Sequence, residues 1–158
     1  MGRGHLEAHF AAEWEALCPD LPFEREATIP AWVEWAEEKK RLGLAKVRRP
    51  FRADFLWRDA RVVVEIQGAT WAVGAHSTGS GIERDAQKAL SAAAGGWIVV
   101  PITGTMLARQ AAVWLPMLEQ VIRQRQAIGQ AAGAWQGSTQ GTTGGGLPAL
   151  EPRHGEAA

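Results

Sequence analysis

Residues 51–67, Phe-Arg-Ala-Asp-Phe-Leu-Trp-Arg-Asp-Ala-Arg-Val-Val-Val-Glu-Ile-Gln, decide the fold. Phe51, Ala53, Phe55 and Trp57 alternate with Arg52, Asp54 and Leu56, while Arg61 to Gln67 is rich in β-branched residues. This pattern predicts two strands joined by a tight turn. Opposed residues of an antiparallel hairpin keep a constant index sum. A two-residue loop at Asp59-Ala60 gives a sum of 119, and a four-residue loop from Arg58 to Arg61 gives the same. Asp-Ala is a poor two-residue turn, so the wider loop is expected. In that register Asp54 faces Glu65 and Arg52 faces Gln67, while Phe51, Ala53, Phe55, Trp57, Val62, Val64 and Ile66 share an apolar face. A one-residue slip would destroy this division.

Directly opposed residues have Cβ atoms roughly 4.5–5.5 Å apart, and like charges so placed destabilise a sheet. A divalent cation would offset the repulsion: Mg²⁺ is held by one or two carboxylates and then meets phosphate oxygens. The alternative is an exposed face whose acids pair with Arg52 and Arg61.

Working outward, Gly4 to Cys18 predicts an amphipathic helix with Leu6, Phe10, Trp14 and Leu17 at helical spacing and Pro19 as its stop. Leu21 to Ile29 holds a short strand, and Pro30 opens a helix to about Leu42 that Gly43 ends. Beyond the hairpin, Gly68 to Gly81 is a glycine-rich loop, followed by a helix from Ile82 to Ala94 with a Gly95-Gly96 stop. Trp97 to Ile102 is a strand whose Pro101 suggests an edge. Thr103 or Thr105 caps a last helix to about Ile128, bent at Pro116. Residues 129–158 are Gly, Ala, Ser, Thr and Gln rich and are expected to be disordered. The expectation is one mixed α/β (α+β) domain over residues 1–128, with a central mixed sheet.

No apolar run reaches the ~20 residues a membrane helix needs, and no secretory leader is expected. The single cysteine, Cys18, excludes an internal disulfide framework and a cysteine-rich metal site. Lys+Arg and Asp+Glu number 17 each, so the formal charge is zero, which argues against a nucleic-acid partner. The sum conceals two blocks: residues 1–38 balance to −7 and residues 39–61 to +7. The acids and bases either pair with each other as solvated faces or leave a basic stretch leading into the hairpin.

Phe51-Arg52-Ala53-Asp54-Phe55, Val64-Glu65-Ile66-Gln67-Gly68 and the stretch Gly74-Ala75-His76-Ser77-Thr78-Gly79-Ser80-Gly81-Ile82-Glu83-Arg84-Asp85 together resemble the PD-(D/E)XK nuclease superfamily. The resemblance is to its small phage and prophage endonucleases and its resolvase-like and very-short-patch-repair-like branches, over about residues 5–105. It implies a restriction-endonuclease-like core and a Mg²⁺ or Mn²⁺ site. Asp54 and Glu65 would be ligands, the Ile66 carbonyl would complete the set, and Glu7 takes the place of a first-helix glutamate turned toward the metal.

Gln67 stands where the family has a lysine, and a glutamine supplies no positive charge. Lys88, on the following helix, is the candidate replacement; its other reading is a surface lysine paired with Asp85. His76 would contact phosphate or protonate the leaving oxygen. Trp71 would stack on a base or pack at the edge of the core. Lys46, Arg48, Arg49 and Arg52 would follow a DNA backbone.

The implied activity is cytoplasmic hydrolysis of DNA phosphodiesters, structure-selective in the manner of a Holliday-junction resolvase and acting as a homodimer. The competing readings are a nuclease-fold DNA-binding module without catalysis, signalled by Gln67, and a structural or assembly protein.

Overall fold

The computed structural model describes residues 3–44, 49–68 and 79–132; for residues 3, 79, 80 and 132 only the backbone is considered. The elements run α1 (Arg3–Leu17), β1 (Glu24–Ala27), α2 (Pro30–Arg41), β2 (Ala53–Trp57), β3 (Val62–Gln67), α3 (Gly79–Ala94), β4 (Ile98–Thr103) and α4 (Gly104–Ala132). The fold is mixed α/β, with a four-stranded sheet in the order β1-β2-β3-β4. β1–β2 and β2–β3 are antiparallel, and β3–β4 is parallel. A parallel neighbour requires a crossover, which α3 supplies.

The hairpin has the predicted register. Phe55, Leu56 and Trp57 pair with Val64, Val63 and Val62, an index sum of 119. The turn is the wider one: the Arg61 N–H donates to the Arg58 carbonyl at 3.0 Å, with Arg61 in the left-handed region (φ 51°).

The division of faces is only half as expected. Phe55, Trp57, Val62, Val64 and Ile66 pack under α1 and α4, with Leu6, Phe10, Trp14, Leu107, Leu115, Leu118 and Ile122. The opposite face is not a polar one. Leu56 and Val63 are fully buried there with Ile29, Trp32, Ala92 and Trp97, and Ala53 and Phe51 join this second cluster. A sheet covered by helices on both faces has no need of strict alternation.

Aromatic side chains lock the first core. Phe10 and Phe23 each make ring contact with both Phe55 and Trp57, and Trp14 stacks on Phe10 and meets Trp57 edge-on. The indole N–H groups of Trp14 and Trp57 both donate to the Leu21 carbonyl, at 3.0 and 3.1 Å, so the polar edge of each buried ring is satisfied. Leu17, expected in this core, is exposed; Cys18 and Leu21 are buried just beyond it.

The glycine stops are of one kind. After α2 the Gly43 N–H (φ 65°) donates to Lys40 and the Leu44 N–H to Lys39; after α3 the Gly96 N–H (φ 75°) donates to Ala93 and the Trp97 N–H to Ala92. Both are Schellman motifs, in which a left-handed residue closes the last carbonyls of the helix. Pro101 sits on the edge strand β4, and the Thr103 hydroxyl accepts the Met106 N–H at 3.2 Å to cap α4.

Three boundaries differ from expectation. α3 begins at Gly79 rather than Ile82. α4 is interrupted at Gln110 (φ −141°, ψ 21°), not at Pro116. Pro116 disturbs the carbonyl four residues back, at Ala112, and the break lies two residues further upstream. α4 also continues through Ala132, so the boundary set at Gly129 falls inside a helix. The rest of the expected tail lies outside the described residues. Among the described residues no helix is long and apolar enough to cross a membrane.

α3 approaches α2 at Gly95, where an added Cβ would stand 2.7 Å from the Ala31 Cβ. Gly95→Ala is therefore expected to lower stability by about 1–3 kcal/mol through overpacking. Urea unfolding followed by tryptophan fluorescence measures this, and an unchanged midpoint would contradict the packing described.

Candidate functional site

The hairpin ladder comprises the three pairs from Phe55–Val64 to Trp57–Val62, whereas β3 pairs with β4 along all six residues from Val62 to Gln67. The strands β2 and β3 therefore part company at the level of Asp54 and Glu65. The Ile66 N–H is taken not by a β2 carbonyl but by the Asp54 carboxylate, 2.7 Å from Oδ2. Asp54 is 3% exposed, one of only two buried polar residues among the described ones. A charge-assisted bond of this kind holds a buried carboxylate in one orientation.

Glu65 meets Lys88. The Lys88 ammonium lies 2.6 Å from Glu65 Oε2, and the two side chains are 12% and 14% exposed. The same Nζ donates to the Arg52 carbonyl at 2.7 Å and stands 4.9 Å from the centre of the Trp32 ring. The indole N–H of fully buried Trp32 donates to the Lys88 backbone carbonyl at 3.0 Å. Phe51 packs edge-on against Trp32, with the Arg84 guanidinium 5.9 Å from the Phe51 ring centre. Lys88 thus leaves the surface of its helix and reaches across the second core to the forked strands.

The remaining candidates fall into four groups. Gln67 ends β3 beside Thr103 and is partly buried. Arg49 and Arg52 are exposed, and Arg52 lies 3.9 Å from Glu26. Glu7 is engaged by Arg25 at 3.4 Å, and that arginine lies over Phe55 on the α1 side of the sheet. His76, Trp71, Lys46 and Arg48 lie outside the described residues.

Among the described residues no three of His, Cys, Asp and Glu converge as a metal-binding group. Asp54 and Glu65 are oxygen donors of the kind hard divalent cations take, and two carboxylates suffice for Mg²⁺.

Sequence reasoning did not find Trp32, the Arg52 carbonyl or Glu26. Glu26 lies on β1 between the pairs Arg25–Phe55 and Ala27–Ala53, level with Asp54, and its backbone is left-handed (φ 50°). Left-handed backbone at a non-glycine residue is uncommon and concentrates at functional sites. Trp32 carried only the signal of an apolar helix face.

The charge blocks largely answer each other. Arg58 binds Glu24 in two bonds of 2.6 and 2.8 Å, Arg41 binds Glu38 likewise, and Lys40 lies 3.9 Å from Glu37. Lys40, Arg41, Arg52 and Arg58 of the +7 block thus face acids of the −7 block. Arg58 holds the Glu24 carboxyl below the usual carboxylate range, through its hydrogen bonds first and its charge next. The Cys18 thiol is pushed up to about 11, first by burial and then by neighbouring Glu119, so it is no nucleophile near neutral pH.

A scan of protein-family models and comparisons with curated proteins and solved structures match nothing to this chain.

Two outcomes are expected. Asp54→Ala leaves the Ile66 N–H buried without its acceptor and is expected to cost about 1–3 kcal/mol in urea unfolding, while Asp54→Asn, which keeps an acceptor, costs clearly less. A depressed Glu24 stabilises the fold above the ordinary carboxylate pKa, and that contribution disappears as pH falls through its lowered value. Arg58→Ala is therefore expected to cost at most about 1 kcal/mol near neutrality, the range of exposed pairs, with the gap from wild type closing below about pH 4. Unfolding curves across pH 3–7 measure it.

Proposed function

We propose that this chain is a metal-dependent DNA endonuclease that hydrolyses phosphodiesters at branched or distorted DNA, as a Holliday-junction resolvase does, in phage or prophage DNA processing within the cytoplasm. One observation carries the proposal: the Lys88 ammonium meets Glu65 beside Asp54, where two strands separate. The sequence resemblance to PD-(D/E)XK nucleases requires two acids and a cation at such a place. Gln67 leaves the usual position of that cation neutral, and Lys88 supplies the charge from α3.

In this reading Asp54, Glu65 and the Ile66 carbonyl hold Mg²⁺ or Mn²⁺. A bound divalent cation lowers the pKa of a coordinated water and stabilises charge on phosphate oxygens. The Ile66 N–H keeps the Asp54 carboxylate in place without a rotamer search. Lys88 offers a donor to the oxygen on which negative charge develops, in a site where burial strengthens that interaction. Gln67 presents an amide that hydrogen-bonds without charge. Arg49 and Arg52 engage flanking phosphates, giving binding that weakens with salt and carries no sequence readout. With so much of the basic block paired internally, plain duplex is held weakly. A junction bound by a homodimer offers more phosphates to each site.

The test is cleavage of supercoiled plasmid and of a synthetic four-way junction with Mg²⁺ or Mn²⁺. Wild type is expected to cleave, Lys88→Gln to cleave about 10²–10³-fold more slowly, and Asp54→Ala and Glu65→Ala to be inactive. Cleavage that survives both acidic substitutions would overturn the metal-site assignment. Junction binding without cleavage under either metal would make the chain a DNA-binding module instead.

A further inference from the structure

Lys88 has two roles that conflict. It neutralises Glu65, at 2.6 Å and with both side chains mostly removed from solvent. A carboxylate so placed costs several kcal/mol unless paired, and removing one partner of a buried pair typically costs about 3–5 kcal/mol. For Glu65 to ligate a cation, its carboxylate must be shared with, or surrendered by, the lysine.

The surroundings of Lys88 provide for this. Its ammonium has a second acceptor in the Arg52 carbonyl at 2.7 Å and lies over the Trp32 ring at 4.9 Å, and neither contact involves Glu65. Trp32 also fixes the Lys88 backbone through its indole N–H. An ammonium is a compact charge on a flexible four-carbon stem, able to turn from one acceptor to another while its backbone stays in place.

We infer that Lys88 is an internal competitor for the metal: in the metal-free protein it occupies the Glu65 carboxylate, and cation binding and release of its ammonium from Glu65 are one coupled event. The inference rests on Asp54 and Glu65 being cation ligands. Its consequence is that the lysine is turned toward substrate phosphate only when the cation is in place. By linkage the coupling is reciprocal, so whatever weakens the ion pair strengthens cation binding by the same factor.

The experiment uses the full chain without DNA, titrated with MgCl₂. The chain has four lysines, at positions 39, 40, 46 and 88, so the lysine Cε carbons give four NMR signals, and Lys88→Arg assigns the one of interest. The Lys88 signal is expected to move with the same Mg²⁺ midpoint as the rise in melting temperature, while those of Lys39 and Lys40 stay. In Lys88→Gln the midpoint is expected to fall at least about tenfold, a modest share of the worth of a buried pair.

A melting temperature that rises in both proteins with one midpoint would overturn the competition and leave the metal site standing. Absence of any Mg²⁺ effect in either protein would remove both. Should Lys88→Gln not fold, wild type decides alone: a stationary Lys88 signal while the melting temperature rises overturns the inference.

Discussion

A carboxylate on a strand covered from both faces must find a donor or a cation. That constraint governs the centre of this molecule. β3 has β2 on one edge, β4 on the other and helices on both faces, yet it carries Glu65 between Val64 and Ile66. Asp54 on the neighbouring strand is in the same position. Asp54 is answered by the Ile66 backbone and Glu65 by Lys88. The two solutions differ in kind: the first is fixed backbone, and the second is a side chain that has other places to go. Under the proposed metal-site reading, Asp54 is the fixed ligand and Glu65 the one shared with a mobile cation.

The rest of the fold serves this arrangement. The aromatic cluster under α1 sets the hairpin, and the smaller cluster under α2 and α3 carries Trp32 and the backbone of Lys88 to the other face. Beyond Phe55–Val64 the β2–β3 ladder gives way to the bond between the Ile66 N–H and the Asp54 carboxylate. The left-handed Glu26 at the same level of β1 marks where the edge departs from regular strand geometry.

Much of this was legible in the residues, and the reasons are local. The hairpin register follows from alternation and turn length, both contained within residues 51–67. Gly43 and Gly96 announced their helix ends because the left-handed position they occupy excludes most other residues. The cap at Thr103 and the edge placement of Pro101 are equally local. What was hidden depends on contacts far apart in sequence. Leu56 and Val63 read as positions on a solvated face because nothing nearby told that α2 and α3 would cover them. Lys88 had two readings of equal standing, since a helix-surface lysine beside Asp85 looks the same in sequence as one that reaches Glu65. The role of Trp32 was invisible for the same reason. The zero net charge was legible as two blocks, but their pairing as Glu24 with Arg58 across strands was not.

At the far end of the sheet from the forked strands, two arginines tie three elements together through main-chain carbonyls. Arg61 donates to Gly95, and Arg125 to Ala60 and Gly96, joining the hairpin turn, the end of α3 and the last third of α4. The domain is therefore stapled at one pole and separated at the other. Sub-global opening is cheapest where fewest interactions must break together, so fluctuations should begin where β2 and β3 diverge and die out toward the turn.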